Sequence, residues 1–184
     1  MKKILSILLL SIIFMTGCNT KKLFNTPTKK VEMFFSKYQS LDDEVVDQLK
    51  EITNNKMNFT DENKDDYIEI MKKHYQTLKY EIKDEVINGN SATVTAEIEV
   101  MDYSKILSDA DKYLESHRDE FKNESGEYSE QLFNKYRIDK LKQAEDKVKY
   151  TIDINLTKID DEWVIDDLDN DTMDKIQGVY VYGA

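Results

Sequence analysis

The residues with the most evident chemical potential lie late in the 184-residue chain, in "WVIDDLDNDTMDK" beginning at Trp163. Closely spaced carboxylates supply the oxygen ligands that a hard cation such as calcium requires. Aligned on an EF-hand loop, Asp167, Asp169 and Asp171 fill the first, third and fifth positions. Thr172 stands at the sixth, where the sharp turn needs Gly, and Gly178 at the twelfth, where a bidentate Glu closes the coordination sphere. Half of the ligand pattern is missing, so no metal is expected here. Asp169, Asn170 and Asp171 are expected instead to form the turn leaving a last strand, with Asp171 or Thr172 capping a short helix.

Two carboxylates stand out singly. Strict strand alternation puts Asp84 on the face of Tyr80, Ile82 and Val86, and Asp167 on the face of Trp163 and Ile165. A carboxylate on an apolar face is hydrogen-bonded, displaced by a bulge, or held protonated in a pocket, where it could act as a general base or acid. His74 and His117 are the only histidines, and neither has a second His or a Cys at zinc-ligand spacing. Both read as surface or boundary residues. No nucleophile elbow, glycine-rich phosphate loop or Cys–His pairing is present, and no cofactor is implied.

The only Cys has a different chemistry. Lys2 and Lys3 precede an apolar run from Ile4 to Met15, broken by Ser6 and Ser11, and "MTGC" follows. A basic n-region, a short h-region and a small-residue exit describe a secretory signal, too short to span a membrane. "MTGC" resembles the bacterial lipobox, with Met15 a tolerated first residue and Thr16, Gly17 and Cys18 fitting well. The resemblance implies a lipoprotein signal peptide over 1–17 and a diacylglyceryl anchor, with acyl chains such as palmitate, on Cys18. Two acyl chains anchor stably where one binds only marginally. The expected location is the outer face of the cell membrane, in the cell envelope.

Loss of the leader takes the net charge from −11 to −13, which argues against nucleic acid and against docking on anionic lipid. With no second Cys the fold must rest on its core alone. The bias toward Lys, Asn, Ile, Asp and Tyr points to an AT-rich bacterium, read here as Gram-positive.

The elements follow from period and caps. Residues 18–25 read as a tether. Thr26 and Pro27 open a helix with Val31, Phe34, Phe35 and Tyr38 as its stripe. Ser40 and Asp43 suggest a capping box for a second helix carrying Leu41, Val45, Leu49 and Ile52. Thr60 opens a third, with Tyr67, Ile68, Met71, Tyr75 and Leu78. The period then becomes two on either side of "NGN" (88–90), the strongest short hairpin signal. Two amphipathic helices are expected over 104–147, broken by "NESGE" (123–127). A second hairpin follows, turning at "DDE" (160–162), and "VYVYGA" alternates like an edge or interaction strand.

The expected fold is therefore α+β: N-terminal helices packed on a curved antiparallel sheet of about four strands, with a helical-pair insertion (about 104–147) between two hairpins, all in one domain over 26–184. The element order over 26–100 and 148–170 and the ending "KIDDEWVIDDL" resemble small bacterial lipoproteins of the nuclear transport factor 2-like (cystatin-like α+β cone) superfamily. That resemblance implies a cone closed by sheet and helices, with the 104–147 pair lying over its mouth. It also implies a possible pocket lined by Tyr38, Tyr75, Tyr80 and Trp163 and reached by Asp84 or Asp167. Some enzymes of the superfamily use such a carboxylate as general base with a Tyr as oxyanion donor, but no motif ties either Asp to a particular Tyr. The expected function is a non-enzymatic, membrane-anchored module binding a small ligand or an envelope protein. The alternative is a small cone-fold enzyme using a buried Asp.

Overall fold

The structure, a computed structural model, describes residues 25–56 and 59–181. The leader, Cys18 and most of the tether lie outside the described residues. Helices α1 (Pro27–Ser40), α2 (Asp43–Lys56) and α3 (Asp61–Thr77) precede strands β1 (Lys79–Asn88) and β2 (Ser91–Met101). Helix α4 (Tyr103–Ser116), a 3₁₀ turn (Arg118–Phe121) and α5 (Glu130–Leu141) are inserted before β3 (Lys147–Ile159), β4 (Glu162–Ile165) and α6 (Asn170–Gln177). The sheet is an antiparallel meander in the order β1-β2-β3-β4. The α+β class, the four strands and the helical pair between two hairpins are as the sequence predicts.

The two central strands supply the core. Ala92, Val94, Ala96 and Ile98 of β2 oppose Leu156, Ile154, Ile152 and Tyr150 of β3, and all eight are buried. Period-two patterning commits this face inward. Helices α1, α3 and α6 cover it, and Phe35 of α1 stacks on Tyr80 at 4.7 Å between ring centres. The other face is a polar ladder in which Thr93 and Thr95 donate to the Asn155 and Asp153 side chains and Lys149 pairs with Glu97.

Both hairpin turns lie at one end of the sheet. Gly89 takes φ 62°, the sign that a II′ connection requires at its first residue, and Asp160 and Asp161 take φ 50° and 66°, as a I′ turn requires at both. Asp tolerates this region better than most residues. Asn25 clamps the second turn: its amide donates to Asp161 O at 2.6 Å and accepts from Trp163 N at 2.9 Å. The described chain thus begins beside the hairpin turns, and α4 leaves β2 at the opposite end.

β1 departs from simple alternation. Ile82 opposes Ala96 but Asp84 opposes Thr95, so Lys83 is an extra residue in a β-bulge. The bulge moves Asp84 and Val86 to the polar face and Glu85 to the covered one, correcting the expectation that Asp84 shares a face with Tyr80 and Ile82. The gain is a helix contact. Glu85 Oε2 accepts from Thr28 N at 2.8 Å while Thr26 Oγ1 accepts from Lys29 N, so two of α1's free N–H groups are satisfied by oxygen.

Other expectations shift by one to three residues. Leu41, left-handed at φ 54°, closes α1, and Asp42 rather than Ser40 meets the start of α2 by accepting from Glu44 N. On α2 Val45 and Leu49 are buried as expected, but the next buried residue is Thr53, its hydroxyl donating to Leu49 O, while Ile52 is exposed. Asp169, not Asp171 or Thr172, caps α6, and residues 178–181 form no strand.

Replacing Glu85 by Ala removes the acceptor for Thr28 N and should cost about 1 kcal/mol. Glu81→Ala, which loses only an exposed pair with Lys83, should cost less than about 0.5 kcal/mol. Urea midpoints of the two variants test this.

Candidate functional site

Asp84 and Asp167 are both exposed. Asp84 Oδ1 accepts from Glu85 N at 2.8 Å, a local contact of the bulge. Asp167 lies past the end of β4, which closes at Ile165. A buried general base at either position is therefore not what the fold builds. The aromatic residues expected to line a pocket fill space instead. Tyr38 and Tyr75 are buried edge to face at 4.9 Å, and burial pushes both hydroxyls above the usual phenol range. Trp163 is buried against the clamp at Asn25. Tyr80 is half-buried, one ring face on Phe35. Asp169 is occupied in capping α6: Thr172 N donates to it at 2.7 Å and holds its carboxyl below the usual range.

The space that a ligand could use lies elsewhere. A cavity of about 320 Å³ opens between α3, the inserted α4–α5 pair and the segment after α6. Tyr67 and Met71 come from α3, Tyr103 and Leu107 from α4, and Ile138 and Leu141 from α5. Phe59 and Val179 complete the apolar wall, with Asn134, Arg137 and Gln177 as its polar groups. An apolar enclosure with a few placed polar groups is the usual form of a small-molecule site. Tyr103 and Leu141 also wall a second cavity, of about 240 Å³, whose rim carries Asp66, Glu69, Lys73 and Lys142. There Lys142 reaches Asp66 at 2.6 Å.

Arg137 is the most constrained of the polar groups. Its Nη2 donates to Asp111 Oδ1 on α4, and its Cζ lies 4.4 Å from the centre of the Phe133 ring. Its Nε is buried and makes no hydrogen bond. Sequence reading passed over Arg137 and Asn134 as part of a charged helix face. The available signal was their spacing: 134, 137, 138 and 141 fall on one helical face, so the two polar residues share a stripe with Ile138 and Leu141.

The inserted pair positions this wall with a small core of its own. Ala110, Phe121 and Phe133 are buried together beneath Tyr113, Leu114, Tyr128 and Tyr136. Asn123 organises the connection by accepting from Ser125 N and Glu127 N. His117 is exposed and stacks on Tyr113 at 4.0 Å.

His74 is not at the boundary but is 1% exposed, in contact with Tyr103 and Tyr75. Its Nε2 lies 2.8 Å from Ile176 O, and a carbonyl only accepts, so Nε2 carries the proton. Nδ1 is buried without a partner. Burial outweighs the carbonyl contact and lowers the pKa to about 4. Beside it, Gly178 ends α6 at φ 72°, and its carbonyl accepts from Tyr103 N and Ser104 N. A Cβ built there would lie 2.0 Å from Met101 O. Helix α6, the end of β2 and the start of α4 are thereby held against α3.

Two outcomes follow from this junction. The His74 ring should titrate near pH 4 when followed by NMR. Between about pH 4 and 6.5 the unfolded chain holds a proton on His74 that the folded one lacks. Its contribution is thus complete above pH 6.5 and is lost as pH falls toward 4, by about 3 kcal/mol in total at ~1.4 kcal/mol per pH unit. Gly178→Ala combines left-handed strain with overlap on a backbone oxygen and should lower stability by on the order of 3 kcal/mol, measured by thermal or urea unfolding.

Comparison with known proteins gives little. No family model matches the chain, and no curated protein matches it. Among solved structures it is similar to a candidate lipoprotein (ycdA) from Bacillus subtilis, with 14% identity, a TM-score of 0.42 and 83% of this chain covered. The match takes in 47% of that protein, so the chain spans about half the length of its structural neighbour.

Proposed function

We propose that the protein is a membrane-anchored extracytoplasmic binding module that holds a small, largely apolar molecule in the cavity between α3 and the inserted helical pair. The observation that carries this reading is the cavity itself: about 320 Å³, apolar-walled and built by elements that the hairpins alone do not need. Among the described residues no group of His, Cys, Asp and Glu is placed to hold a metal ion, and Asp84 and Asp167 are exposed.

The anchoring reading rests on sequence. Cys18 is the chain's only Cys, it follows a short apolar run, and "TGC" fits a lipobox. No helix among the described residues is long and apolar enough to cross a membrane. The chain from 26 to 184 is read as one α+β domain, and its three N-terminal helices on an antiparallel meander support kinship with the nuclear transport factor 2-like cone. In this chain Tyr38, Tyr75 and Phe35 occupy the space under the sheet, and the inserted pair builds a cavity to one side.

Replacing Cys18 by Ala should move the protein from the membrane fraction of a Gram-positive host to the soluble extracellular fraction. Continued extraction only by detergent would overturn lipid anchoring.

A further inference from the structure

Resting on the reading of Cys18 as a lipid anchor, we propose that the hairpin-turn end of the sheet lies against the bilayer surface, with Val86, Ile159 and Val164 entering the boundary between headgroups and acyl chains. Among the described residues eight large hydrophobic side chains are exposed, and four of them, Val86, Ile87, Ile159 and Val164, sit beside the two turns. Single exposed aliphatics are ordinary on a protein surface, whereas a concentration of them at one end marks a contact.

The uncovered face of the sheet suits lipid at this end and not at the other. Register aligns Val86 with Thr93 and Asn155, and Val164 with Thr157, all on the polar face. None of these positions carries a charge. At the far end of the same face Glu97, Glu99, Lys147 and Lys149 form ion pairs. The second turn is acidic, but two of its three carboxylates are paired: Asp161 meets Lys158 at 3.2 Å and Glu162 meets Lys30 at 3.1 Å.

The point where the chain enters the domain identifies what covers this end. Six residues lie between Cys18 and Asn25, and Asn25 is hydrogen-bonded to Asp161 and Trp163, beside the aliphatic residues. A lipid on Cys18 therefore holds the turn end nearest the bilayer. Three half-exposed aliphatic side chains are too few to bind a membrane from solution. On a tether the same contact becomes intramolecular, and the high effective concentration makes it form. The mature chain is acidic, so the contact draws on apolar burial rather than on attraction to anionic lipid.

The test uses the full mature lipoprotein, whose one native thiol is taken up by the anchor, in phosphatidylcholine vesicles containing doxyl-labelled lipid. A nitrobenzoxadiazole label is placed on Ser91→Cys, in register with Thr157, or on Lys79→Cys at the other end of the sheet. Doxyl lipid should quench the label at 91 at least about threefold more strongly than the label at 79. The excess should disappear when Val86→Thr, Ile159→Thr and Val164→Thr are combined, changes that keep β-branched side chains at exposed positions. Protein absent from the floated vesicles overturns the anchoring reading, and this inference with it. Equal quenching at the two positions, or an excess that survives the triple variant, overturns the membrane contact while the anchoring stands. Oxidative crosslinking of unlabelled Ser91→Cys into dimers assigns the face to a second copy of the chain and likewise overturns it.

Discussion

The constraint on which most of the molecule depends is the close approach at Gly178. One carbonyl accepts the first two N–H groups of α4, the residue's Cα lies against Met101 O, and the preceding turn offers Ile176 O to His74. Only a residue without Cβ and at ease at positive φ fits there. Through it the end of α6 is bound to β2, α3 and α4, and Tyr103 at the head of α4 becomes the partition between two cavities. The neutral His74 belongs to the same arrangement. Its one bonded nitrogen and its tilted contact with the Tyr103 ring let a polar ring serve as core, at the cost of sensitivity to acid.

Legibility from sequence tracked the range of the interactions involved. The strands β2 and β3 and both hairpin turns were readable because alternation, Asn-Gly and the Asp pair are local signals. Thr26 and Pro27 opened α1 for the same reason. A bulge is one of three alternatives the sequence leaves open for Asp84, and the strand alone does not choose it, because the Thr28 N–H that Glu85 meets lies on an element more than fifty residues away. His74 looked like a boundary residue because its partner, Ile176 O, is supplied by α6. The sequence predicts a short last helix but places its cap at Asp171 or Thr172 and makes the tail a strand, since eight residues carry little periodicity of their own.

The site shows the same limit. Aromatic stripes were visible in the sequence, but which rings meet one another and which border empty space depends on how helices pack. Tyr38 and Tyr75 face each other and leave no room, whereas Tyr67 and Tyr103 stand apart across a cavity. Carboxylates drew attention by being numerous, yet the placed polar group is Arg137, held by Asp111 from the neighbouring helix. Pairing across two helices has no signature in a single stretch of chain.

The clamp at Asn25 has a consequence for geometry on a membrane. It fixes the start of the folded chain beside the hairpin turns, whereas the cavity lies where β2 gives way to α4. β2 has eleven residues, so the two ends of the sheet are about 35 Å apart. Six residues lie between Cys18 and Asn25, seven Cα–Cα steps and so a leash of at most about 25 Å. On a chain held by Cys18 the domain would stand on its turns like a lamp on a short stem, with the cavity at the top. In that posture the cavity lies a full strand length from the tethered end.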